Sequence, residues 1–178
     1  YKDASALLAS LIVKYPHETE LWVLQANAFI GMEQPKEAAI NLEAVRLMGK
    51  SRMSSLVLLG DIYMNEGLPD LARSAYTEAI ERDSQSSEFR TGYRAVELLV
   101  RAQANDDAQK TLHLVKKKYA GKMSTDDELK LMTLEARIAR AQGKSGEAAK
   151  LLEAVVRRDG TRGDALLVAR ERVPCRHP

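Results

Sequence analysis

Apolar residues recur at intervals of three and four in "ELWVLQANAFIG", "SLVLLGDIYMNEG", "FRTGYRAVELLVRAQ" and "ELKLMTLEARIARAQG". That is the period of a helix with one buried stripe. Each stretch is followed by a second stripe that opens on alanine. Ala72, Tyr76 and Ala79 form one such set; Ala38, Leu42 and Val45 stand 34 residues upstream, and Ala4, Leu8 and Leu11 another 34. Downstream the set returns as Ala108, Leu112 and Val115 and as Ala148, Leu152 and Val155, at spacings of 36 and 40. The extra residues fall in "RDSQSSEF" and "YAGKMSTDDE", polar stretches suited to turns. Every unit therefore reads helix, turn, helix.

The turn signals agree. Gly67 suits the end of a first helix, where a left-handed residue is often needed, and Pro69 and Pro35 suit the first turn of the helix that follows. Gly60, Ala26 and Ala136 are small where two helices approach, while Tyr63 and Phe29 fill the wider space one turn later. The pattern divides the chain into a lone second helix (1–16), helix pairs at 19–52, 53–86, 87–122 and 125–160, a segment at 163–173 and a tail at 174–178. The pair at 87–122 is divergent, with Gly92, Ala95 and Val96 at its first-helix core positions. Residues 163–173 read either as a cap or as the start of a further repeat.

On these residues the sequence resembles the tetratricopeptide repeat family, whose pattern runs W-x2-L-G-x2-Y, then A-x3-F, then Ala and Pro. Leu56, Leu59, Gly60, Tyr63, Ala72, Tyr76 and Ala79 follow that order, as do Trp22, Ala26, Phe29 and Ala38, and Pro16 closes the first half-repeat. The resemblance covers about residues 1 to 160. It implies an all-α, right-handed superhelical solenoid of antiparallel helix pairs, with the first helices lining a concave groove.

If that holds, the groove contains Val23, Asn27, Ile30, Val57, Asp61 and Met64 in its apolar part. Arg90, Tyr93, Arg94, Glu97, Arg101, Lys130, Thr133, Arg137 and Arg140 form its basic part. Such a surface suits an acidic peptide, with arginine able to grip carboxylates bidentately; a solvated helix face is the plainer reading of the same charges. Family members that hold chaperone C-termini place donors where this chain has Val23, Asn27, Leu58, Arg90 and Arg94. Val23 and Leu58 supply none, which argues against that ligand.

Composition narrows the partners. Lys plus Arg number 27 against 25 Asp plus Glu, so a net charge of +2 gives no general attraction to nucleic acid. Lys116, Lys117 and Lys118 fall at the expected end of a second helix, where a solvated cluster interacts well with the helix dipole. No apolar run is long enough to span a bilayer. The chain begins with Tyr1, which points to a fragment or processed form, and its compartment stays open.

Catalytic chemistry finds no constellation. His17, His113 and His177 are scattered, and Cys175 with His177 supplies two candidate zinc ligands where a closed site uses four. No phosphate-binding loop, H-E-x-x-H or nucleophile elbow occurs. Asp106 with Asp107, and Asp126 with Asp127, stand at expected helix starts, where capping is their ordinary role. The reading is a noncatalytic scaffold without cofactor or metal that binds a protein or peptide, an acidic segment first. The alternatives are an assembly segment of a longer array, homo-oligomeric association included, or the targeting arm of a larger complex similar in style to bacterial cell-envelope scaffolds.

Overall fold

The computed structural model describes residues 1–84 and 88–159. Among them the chain forms nine helices: α1 (Lys2–Lys14), α2 (Thr19–Gly31), α3 (Pro35–Leu47), α4 (Met53–Asn65), α5 (Pro69–Arg82), α6 (Phe89–Arg101), α7 (Asn105–Lys118), α8 (Thr125–Ala141) and α9 (Ser145–Arg158). The chain divides into two compact units, 1–91 and 92–178, the division falling within α6.

Four of the connections share one geometry. Glu33, Gly67, Gln103 and Gly143 all have positive φ, at 58°, 72°, 59° and 80°. Immediately after each, a backbone N–H reaches back across the helix end: Gln34 to Phe29, Leu68 to Tyr63, Ala104 to Leu99 and Lys144 to Ala139, at 2.8–3.0 Å. This is the Schellman closure, which satisfies carbonyls that a helix end leaves unpaired. Pro35 and Pro69 then open α3 and α5, where a missing N–H costs nothing. The connections are so short that consecutive helices must run back on one another. The left-handed residues stand 34, 36 and 40 residues apart, the same spacings as the alanines.

In unit 1, α1 packs on α2, α2 on α3, α3 on α4 and α4 on α5. The shared core joins Ala26, Ala38, Leu42, Leu59, Ile62 and Ala75, with Phe29 and Tyr63 closing over it. Alanine at 26 and 38, both fully buried, lets α2 and α3 approach. Gly60 serves the α4–α5 contact: a Cβ there would lie 2.7 Å from Cδ1 of Tyr76, whose ring is 1% exposed.

The first stripe departs from expectation. Ala4 is exposed and Leu8 and Leu11 only half-buried, whereas Ser5 and Ile12 are buried. Helix α2 packs on the side of α1 that carries Ser5 and Ile12. Gln25 of α2 donates to the Ser5 carbonyl at 3.0 Å and accepts from Asn41 of α3 at 2.9 Å, so a buried amide relay ties three helices.

In unit 2, α7 packs on α8 and α8 on α9. Gly92, Ala95, Val96 and Leu99 form the buried stripe of α6. A Cβ on Gly92 would come within 2.8 Å of Val115 and 3.3 Å of Tyr119. Ala136, Ala139 and Ala148 join α8 to α9, covered by Leu151 and Leu152. Ser124 and Asp127 form a capping box at the start of α8, a structural use for one of the paired carboxylates.

Candidate functional site

The groove candidates sit beside the core on their helices, and the structure sorts them by what each side chain already holds. On α2 of unit 1, Asn27 and Ile30 are exposed and Val23 half-buried; on α4, Val57, Asp61 and Met64 are half-buried. Both triples have the same spacing, 34 residues apart, so equivalent positions on two helices are open to a ligand. Asp61 is already engaged, its Oδ1 accepting from the Tyr76 hydroxyl at 2.8 Å. It is therefore partly a structural carboxylate that satisfies a buried phenol.

Arg90, on the part of α6 that belongs to unit 1, is exposed. Among the unit 2 candidates, Arg101 pairs with Glu97 at 3.1 Å along α6, so those two neutralise one another. Lys130 pairs with Asp126 at 2.5 Å along α8. Arg94 is exposed and Tyr93 and Thr133 half-buried, the Thr133 hydroxyl donating to the Leu129 carbonyl at 2.8 Å. Arg137 and Arg140 are exposed and form no ion pair with a described residue. The lysine run is not wholly a solvated helix end, because Lys116 crosses from α7 to pair with Glu135 of α8.

Sequence reading missed two features of unit 1. The first is an ion-pair network between α3 and α5. Arg46 donates through Nε to Glu78 at 2.7 Å and through Nη2 to Ser74 at 2.7 Å, with Glu43 at 3.5 Å. Arg82 holds the other Glu78 oxygen at 2.8 Å and the Ser51 carbonyl at 2.6 Å. Burial opposes charge on Glu78, but the hydrogen bonds from Arg46 and Arg82 outweigh it and lower its pKa. Burial also opposes charge on Arg46, and its acidic partners, Glu78 foremost, raise its pKa nonetheless.

The second feature is a largely apolar groove of about 690 Å³ along α3 and the end of α4. Ile40, Leu47 and Leu68 line it, and Glu43, Tyr63 and Glu66 supply its polar atoms. The Tyr63 hydroxyl donates to Glu43 Oε2 at 3.0 Å. Burial, followed by the Glu43 charge, pushes Tyr63 up to about 12. Ile40 and Leu47 belong to α3, whose buried stripe alone drew attention in the sequence. The available signal was their spacing of seven residues outside that stripe.

Among the described residues there is no cluster of three or more metal-ligating side chains, and no helix is long and apolar enough to cross a membrane. Cys175, His177 and the segment 163–173 lie outside the described residues.

Short helices closed by a repeated turn and joined through small residues define an all-α helical-repeat protein of the kind that builds interaction scaffolds. Residues 23–87 match the family model described as tetratricopeptide repeat. The chain belongs to the tetratricopeptide repeat family, and its fold is the all-α solenoid of that family. Among solved structures it is similar to YrrB, described as a TPR protein with an unusual peptide-binding site: TM-score 0.63, 15% identity, covering 95% of this chain and 83% of that one. Two structures of MamA are also similar, each at 12% identity. The first has a TM-score of 0.60, covering 90% of this chain and 83% of MamA. The second has a TM-score of 0.58, covering 90% and 89%. No curated protein sequence matches.

Proposed function

We propose that the chain is a noncatalytic interaction scaffold whose repeats are the helix pairs α2–α3, α4–α5, α6–α7 and α8–α9, and whose first helices hold a peptide or partner helix. The observation that carries this reading is the pair of matched open triples, Val23, Asn27 and Ile30 on α2 and Val57, Asp61 and Met64 on α4. A rigid helix face of this kind binds without ordering its own backbone, so less of the contact energy is lost on association. The likeness to YrrB, itself described as having a peptide-binding site, supports a peptide as the ligand class.

Within unit 2 the proposed ligand contact is acidic. Arg137 and Arg140 stand one turn apart on α8, exposed and without described ion-pair partners, while Lys130, Glu97 and Arg101 are occupied by their neighbours. Isothermal calorimetry with a synthetic glutamate-rich helical peptide tests this. Arg137→Glu combined with Arg140→Glu weakens binding by about tenfold or more at low ionic strength, and less as salt rises. An unchanged affinity would remove α8 from the binding surface.

A further inference from the structure

We propose that the apolar groove of unit 1, along α3 and the end of α4, receives the segment Asp164–Val173 from a second copy of this chain. The surface is built for a helix. Ile40 is 67% exposed and Leu47 81% exposed, and their spacing of seven residues puts both on one side of α3. Between them stands Glu43, and Leu68 closes the far wall beside Glu66. Apolar side chains so open, lining a groove of about 690 Å³ rimmed by charge, mark an interaction surface.

The charges select the occupant. Glu43 Oε2 accepts from Tyr63, but Oε1 has only a 3.5 Å contact with Arg46, and Glu66 meets Lys36 through one oxygen at 3.3 Å. A carboxylate accepts up to about four hydrogen bonds, so both glutamates keep acceptor capacity. The matching ligand is a helix with two aliphatic side chains seven residues apart and a guanidinium between them. The chain carries that arrangement in "DALLVARERV": Leu166 and Val173 are seven apart, Arg170 lies between them, and Arg172 follows. Laid antiparallel to α3, Leu166 meets Leu47, Val173 meets Ile40 and Arg170 reaches Glu43. Every copy has both the groove and the segment, so two copies that exchange segments cover two grooves in one closed, isologous pair.

Cys175, the single cysteine, lies two residues beyond Val173 and offers a direct probe. The full chain is labelled there with benzophenone maleimide, irradiated, resolved by denaturing gel and mapped by mass spectrometry. The expected product is a cross-linked dimer joined to the α3 stretch 36–47 or to residues 62–68. Leu47→Glu and Arg170→Glu, at positions outside the described core, each reduce its yield about tenfold, as loss of an anchor does. Helicity by circular dichroism and the thermal midpoint stay unchanged. Absence of a dimer, cross-links confined to one chain or mapped to α8 or α9, or a yield indifferent to Leu47→Glu overturns the proposal.

Discussion

Gly60 and Tyr76 form a single packing unit. The Tyr76 ring fills the space that a Cβ on Gly60 would take, and its hydroxyl is satisfied by Asp61. Gly60→Ala therefore destabilises the chain by about 1–3 kcal/mol through overpacking, although alanine is the better helix former. Combining it with Tyr76→Leu recovers part of the loss, because the two changes share one contact. Urea midpoints across this mutant cycle check the claim, and strict additivity refutes it. Tyr63 carries a second prediction at this scale. Its pKa is raised from 10.0 to about 12, so the folded state favours the protonated phenol. The stabilisation is complete below pH 10 and is lost as pH rises toward 12. The phenolate absorbance difference between the wild type and Tyr63→Phe has its midpoint near 12; a midpoint at 10 contradicts the Glu43 contact.

Among the elements, the recurring Schellman turn separates backbone preference from packing. Glu33 and Gly67 hold the same left-handed position in two turns, but only one is glycine. Replacing Glu33 with glycine relieves an unfavourable conformation, offset in part by the entropy glycine loses on folding, and stabilises by about 0.5–1 kcal/mol. Gly67→Ala acts in the opposite sense by about 1 kcal/mol, and nothing within 4 Å of the added Cβ confuses the backbone effect with a clash. Thermal midpoints moving in opposite directions confirm the shared geometry. Gly67 and the prolines were legible in the sequence. Glu33 and Gln103 were not, because a left-handed glutamate or glutamine has no composition signal; only the 34- and 36-residue spacing points to them.

For the molecule as a whole, the open faces differ between the two units. In unit 1 the matched positions on α2 and α4 are mostly apolar or amide-bearing, with Arg90 the exposed cation of the set. In unit 2 the exposed candidates are arginines. The net charge of +2 hides this, because a sum over 178 residues cannot report where charges sit or which are neutralised. Ligand affinity that depends on salt through Arg137 and Arg140, but is insensitive to salt through Val23 and Met64, is the corresponding expectation for calorimetry on single variants.

The sequence by itself determined the fold class, because helix period, small-residue spacing and turn chemistry are properties of residues close along the chain. Ala38, Ala72, Ala108 and Ala148 are all buried, as their recurrence required. Only the tertiary structure decided which polar groups are already used. The partners in the Gln25–Asn41 relay lie 16 residues apart, those of Arg46 and Glu78 32, and those of Lys116 and Glu135 19. Helical periodicity says nothing about pairs at such separations, since they meet only after neighbouring helices dock. The same docking opens the α3 groove and spends Asp61 on Tyr76. A stripe read along one helix marks what that helix buries; what it leaves available depends on the helices beside it.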